Sequence, residues 1–176
     1  MVIAIKTRAD AFALLHDMGA PTRLVRHVEL VGEAADALLL AFTRLGVRVD
    51  GDFVRVGVVL HDVGKIVYQD ELSNPGAKHE SAGERLLLER GVSAQIARVC
   101  RSHAQWSSLD SSLEELIIAL ADKLWKGVRV RALEERVVER AAISANREKW
   151  DLFVPLDSVF EEIADDGDAR LSRSRQ

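Results

Sequence analysis

The sequence predicts an all-α, single-domain protein, and three observations carry that reading. Apolar residues recur at steps of three and four from Pro21 to Leu45, where Leu24, Val28, Val31, Ala35, Leu38 and Phe42 form one stripe. Glycines and capping residues divide the rest of the chain into helix-length pieces. The one stretch with strand-like alternation, Phe53 to Leu60, has no second strand nearby to pair with, and a lone strand leaves its backbone groups unpaired.

Taken in order, Thr7 to Met18 reads as a short helix that stops at Gly19, and Pro21 opens the next helix as a first-turn proline. Phe53 to Leu60 is assigned to helix although Val54, Val56 and Val58 alternate. Lys78 to Arg90 ends at Gly91, and Ser93 caps a helix running through Ile96 and Val99 towards His103. Ser112 and Glu115 have capping-box spacing ahead of the apolar run Leu116 to Leu124. A charged helix is expected from Val128 to about Asn146 and a last one from Asp157 to Ala164, with the tail from Asp165 frayed. The expected organisation is one domain over 1–165, with a motif-bearing core at 21–127, C-terminal helices at 128–165 and a flexible tail at 166–176.

Composition removes several functional classes. The chain has 176 residues, 48% hydrophobic and 30% charged, with three prolines and a net charge of -4. That is too apolar for a disordered chain, and the charge does not suit a bulk nucleic-acid binder. A phosphate-binding surface, if present, is local. No apolar run reaches membrane-spanning length and the start has no signal-peptide pattern. The single cysteine, Cys100, cannot form an internal disulfide. A soluble, cytoplasmic protein is the expectation.

The chemistry lies in an ordered series: His27, then His61-Asp62, then His79, His103 and Asp122. His27 falls within the stripe of Leu24, Val31 and Leu38, and Asp122 lies on a helix apolar nearly all round, both costly places for an unpartnered polar group. A cation surrounded by imidazoles would satisfy such a carboxylate. Imidazole with carboxylate suits divalent Fe, Mn, Co, Ni or Zn, and six ligands exceed the need of one tetrahedral ion. With Asp62 bridging, one ion would take His27, His61 and Asp122 and a second His79 and His103. Two ions about 3.5–4 Å apart can hold a bridging hydroxide and clamp a phosphoryl oxygen for in-line hydrolysis.

This series, with His61-Asp62-Val63-Gly64-Lys65, resembles the HD superfamily of metal-dependent phosphohydrolases over about His27 to Gly127, and the complete ligand set resembles its dinuclear members. Lys78-His79-Glu80 through Gly83 and Leu86-Leu87-Leu88 is similar to the helix carrying the first middle histidine, and Ala121-Asp122-Lys123-Leu124 to the helix of the closing aspartate. The resemblance implies a helical core of at least five helices. It also implies hydrolysis of a nucleotide or another small phosphate ester by a metal-bound hydroxide. Some members with the same ligands are diiron oxygenases, so that activity stays open beside hydrolysis, as does a non-catalytic module in which the ions only hold helices together.

Roles follow from the needs of phosphoester hydrolysis. Asp62 or Asp122 would orient the nucleophile, Lys65 would contact a substrate phosphate, and Glu80 would steady a ligand or carry a proton. Lys78, Arg101, Lys123, Lys126 and Arg129 are candidates for a positive rim, with Lys123, Lys126 and Arg129 assigned to the substrate. Trp106, Trp125 and Trp150 are expected to anchor the core, Cys100 to act as a small core hydrophobe, and Gly83 to permit close helix approach. His16-Asp17 lacks the following Gly-Lys and reads as a surface pair.

Overall fold

The computed structural model describes residues 4–175, and within them every regular element is helical. α1 (Arg8–Asp17) starts at Thr7, which forms a reciprocal capping box with Asp10. α2 (Thr22–Arg44) is the longest element and buries the whole stripe expected of it. α3 (Gly51–Leu60) is capped by Asp50 and confirms the helical assignment of the valine-rich segment. Its Val54, Val56, Val58 and Val59 are all buried, because α3 is packed against α1, α2 and α7 together. Such surroundings override the local strand preference of valine.

Two single-turn 3-10 helices follow, Val63–Ile66 and Gln69–Leu72. Then come α4 (Lys78–Glu89), α5 (Ala94–Ala97), α6 (Val99–Ser102) and α7 (Leu113–Leu124), the last begun by the expected box of Ser112 and Glu115. α8 (Arg131–Ala145), α9 (Lys149–Asp165) and α10 (Gly167–Ser174) complete the chain. The interior divides into two apolar clusters. Leu24 and Val28 at the start of α2 join one, with α1, part of α3, Leu87 and Cys100. From Leu30 onward α2 joins the other, with α7, α8 and α9. His27 sits beside the junction.

Several boundaries differ from the sequence reading. Pro21 is the residue before the first helical turn, with Thr22 opening α2. The expected helix through Val99 to His103 is broken at Arg98 into α5 and α6. α8 begins at Arg131, after Gly127 turns the chain with φ of 77°. α9 begins well before Asp157 and holds Pro155 inside it. Its buried stripe of Leu152, Leu156, Phe160 and Ile163 spans that proline, so packing on α8, α2 and α7 outweighs the hydrogen bond that proline removes.

The tail expected to fray is instead α10. Gly167 and Arg170 are buried there, Arg170 donates to Ile163 O at 2.7 Å, and Arg173 forms a two-bond pair with Glu33 of α2. Trp150, expected in the core, is 72% exposed, whereas Trp125 is buried and Trp106 packs partly buried against the cluster that α2 joins from Leu30 onward. No described helix is long and apolar enough to cross a membrane.

Candidate metal centre

Six elements deliver the six residues of the series to one place. His27 comes from α2, His61 ends α3, Asp62 begins the following 3-10 turn, His79 lies in the first turn of α4, His103 ends α6 and Asp122 lies near the end of α7. The segments meet closely because two glycines face each other. A Cβ on Gly64 would lie 2.7 Å from Gly83 N, and one on Gly83 would lie 3.0 Å from both Gly64 N and Cys100 Sγ. The 3-10 turn therefore rests directly on the α4 backbone, and the close approach expected at Gly83 is met.

Asp62 is the hub. Its Oδ2 lies 3.1 Å from His27 Nε2 and 3.6 Å from His61 Nε2, while its Oδ1 lies 3.2 Å from His79 Nε2 and 3.6 Å from His103 Nε2. Each carboxylate oxygen thus faces a different pair of imidazoles. Asp122 Oδ1 closes the first side, 3.6 Å from both His27 Nε2 and His61 Nε2. The outward nitrogens fix how the rings point. His61 Nδ1 is 2.7 Å from Val58 O, and His103 Nδ1 is 3.1 Å from Val99 O. A carbonyl can only accept, so Nδ1 donates and Nε2 is the nitrogen turned inward.

Electrostatics reflect this crowding. Burial raises the Asp62 carboxyl, yet the His61 charge and the nearby His27 and His79 imidazoles overcome that and hold it well below the usual carboxylate range. Asp122 is held low in the same way by His61 and His27, with Lys123 adding to them. Burial lowers His61, but the charges of Asp62 and Asp122 outweigh it and its value rises. His103 goes the other way, pushed down to about 4 by burial and by the charge of His61.

The donor set fits a cation. His27 Nε2, His61 Nε2 and Asp62 Oδ1 are buried and lack any hydrogen-bond partner, all at the centre of the cluster. Buried polar atoms are rarely left so, and a metal between them would satisfy them at once. Ligand atoms of His27, His61 and Asp122 lie within 4.8 Å of one another, as do those of His61, Asp62 and His103. These buried groups could hold a divalent metal.

Comparison with known proteins agrees. The family model of the HD domain matches residues 23–125, more than half of the chain. The chain belongs to the HD domain family. That family stands within the superfamily of metal-dependent phosphohydrolases that the ordered series resembled. An uncharacterized protein of Methanocaldococcus jannaschii is 30% identical over 121 residues, covering 60% of this chain and 68% of that relative. No solved structure matches the chain.

The remaining site expectations fare unevenly in this HD domain. Lys65 Nζ lies 2.5 Å from Asp62 Oδ2, and Lys123 Nζ lies 3.0 Å from Asp122 Oδ2, so both ammonium groups reach the cluster. Glu80 is buried and accepts from Gln105 Nε2 at 2.7 Å, rather than being an exposed helix-start carboxylate. Lys126 is half-buried. The guanidinium of Arg129, also assigned to the substrate, is bound by Glu134 at 2.8 Å and by Asp157, which ties α8 to α9. Arg101 pairs with Glu84, and Lys78 lies over the Tyr68 ring. Cys100 is fully buried, its thiol pushed well up by burial and by the charge of Asp62, as befits a core residue. His16 and Asp17 are exposed, with Asp17 paired to Arg90.

Two neighbours were not foreseen in these roles. Trp125, one turn beyond Asp122, sets its ring edge-on to His27 with centroids 5.0 Å apart. Glu71, from the polar turn Gln69–Leu72, lies 2.6 Å from His79 Nδ1. The sequence signal for Trp125 was its helical spacing from Asp122; Glu71 had none.

Proposed function

We propose that this HD domain is a metal-dependent phosphohydrolase acting on a nucleotide or another small phosphate ester. The observation that carries the reading is Asp62, whose two oxygens each face a separate pair of imidazoles. On this reading His27, His61, Asp122 and Asp62 Oδ2 would hold one ion, and His79, His103 and Asp62 Oδ1 a second. Bound divalent transition metals, from Fe, Mn, Co, Ni or Zn, supply a nucleophilic water at neutral pH and neutralise charge on a phosphoryl oxygen.

The protein's own groups do the rest. Lys65 Nζ sits on Asp62 Oδ2 and Lys123 Nζ on the outer oxygen of Asp122, and both can turn to a substrate phosphate as point charges. Lys126, one turn beyond Asp122, is proposed to contribute to the same rim. Asp62 and Asp122 orient the attacking water through their oxygens. Glu80, held through Oε2 by Gln105, is proposed to deliver a proton to the leaving oxygen from its other oxygen. The substrate is small, since the chain's charge of -4 disfavours a long polyanion. The buried, unpaired Cys100 fits a reducing cytoplasm.

The test is metal analysis of the purified protein, followed by phosphate release from a panel of nucleotides, cyclic nucleotides and simple esters with and without chelator. Chelator-sensitive release with stoichiometric metal is expected. Oxygen uptake by iron-loaded protein without phosphate release would replace this reading with an oxygenase. Stoichiometric metal with neither activity would leave a structural role for the ions.

A further inference from the structure

We infer that Glu71 is a positioning residue that builds one half of the centre, the half containing His79, and leaves the other half alone. This rests on the two-ion reading above. His61 and His103 direct Nδ1 at main-chain carbonyls of their own helices, whereas His79 directs Nδ1 at a carboxylate from elsewhere in the fold. Glu71 Oε2 accepts from His79 Nδ1 at 2.6 Å and from His79 N at 3.1 Å, while Oε1 accepts from Lys78 N at 3.2 Å.

One carboxylate therefore performs two tasks. Ala77, which precedes α4, offers no side-chain cap, and Glu71 takes that place from a distance by accepting the first two amides of the helix. By gripping both the backbone and the ring of His79 it fixes the imidazole with Nε2 aimed at Asp62 Oδ1. A carboxylate behind a ligand histidine also makes the ring a stronger donor than a carbonyl does.

The carboxylate is itself held by the loop that follows it. A Cβ on Gly76 would lie 2.6 Å from Glu71 Cγ and would also collide with its carboxyl group, so the loop closes over Glu71 only because residue 76 is glycine. Glu71 is buried despite standing in a polar run. Among the described residues no carboxylate is hydrogen-bonded to the ring of His27, and Asp122 is met by Lys123 rather than by Glu71, so loss of Glu71 should be felt at one ion position.

The test is calorimetric titration of metal-free protein with Mn2+, and separately Co2+, reading the number of ions and each Kd, with circular dichroism as the check on folding. Glu71→Ala is expected to keep one ion at wild-type affinity and to weaken the other by about 10- to 100-fold. Glu71→Gln, whose amide oxygen can still accept from His79, should fall between, and Gly76→Ala should weaken the same ion without altering any hydrogen-bonding residue. Nitrogen NMR of the metal-free protein in alkaline solution should show His79 losing its single Nδ1–H tautomer in Glu71→Ala. Two ions at wild-type affinity in Glu71→Ala, or equal weakening of both, overturns the inference. If that variant fails to fold, an unchanged weaker Kd in both Glu71→Gln and Gly76→Ala overturns it instead. Absence of phosphate release would count against the proposed function only, because ion binding is read here without turnover.

Discussion

Lys65 Nζ lies 2.5 Å from Asp62 Oδ2, the same oxygen that faces His27 and His61. The lysine comes three residues after its aspartate on a tight turn, so the pair is local, yet it places a positive charge directly against a buried carboxylate. Replacing Lys65 with Ala is expected to lower kcat/KM for phosphate substrates by about 10- to 100-fold, the worth of one charge-assisted hydrogen bond. The number of bound ions should stay the same, and steady-state kinetics beside metal analysis checks both.

Asp62→Ala removes the oxygens shared by all four imidazoles. Ion binding and turnover are expected to be lost together, with helical content by circular dichroism largely kept. His16→Ala, at the exposed His-Asp dipeptide, should change neither turnover nor stability beyond about 0.5 kcal/mol. Strong loss in His16→Ala would show that the wrong His-Asp pair carries the site.

Gly64→Ala should destabilise the protein by about 3 kcal/mol, since the new methyl meets the α4 backbone, which has no flexible end to move aside. Gly32→Ala offers the contrast. Its nearest neighbour is Arg8 Nη2 at 3.9 Å, so alanine in that helix interior should stabilise by about 0.5–1 kcal/mol. Urea unfolding of both variants reads the difference.

The pair of Glu33 with Arg173 gives the attachment of α10 a pH dependence. Arg173, through its hydrogen bonds and charge, holds the Glu33 carboxyl below its ordinary value of 4.5. A carboxylate lowered on folding adds stability above its unfolded value and loses it as pH falls through the folded one. Both side chains are over one-third exposed, so Glu33→Gln should cost no more than about 1 kcal/mol at neutral pH and nothing in strong acid, by chemical denaturation at each pH.

The clustering of the histidine and aspartate series was legible in the sequence because the series violates amphipathic patterning. A histidine within the α2 stripe and an aspartate inside the apolar α7 are conflicts that call for a partner, and the His-Asp-x-Gly-Lys run marked the turn between them. The helix starts were legible where a capping residue preceded an apolar run, as at Ser93 and Ser112. Glu71 was not, because an acid within Gln69-Asp70-Glu71 is what a solvated turn contains, and only the folding of that turn onto α4 buries it. α10 was hidden for a related reason: Gly167 and Arg170 have nothing to pack against until α9 and the turn at Gly127 are in place. The pairing of Arg129 with α9 likewise depends on a partner remote in sequence, Asp157.

The candidate ligands are drawn from α2 through α7, between positions 27 and 122, and no short peptide contains enough of them to grip an ion tightly. An unfolded chain therefore has little hold on the metal, and the affinity of the native centre enters the folding equilibrium almost whole. A bound metal would act as a reversible cross-link among distant stretches of polypeptide. Metal supply would then govern the protein's lifetime against proteolysis.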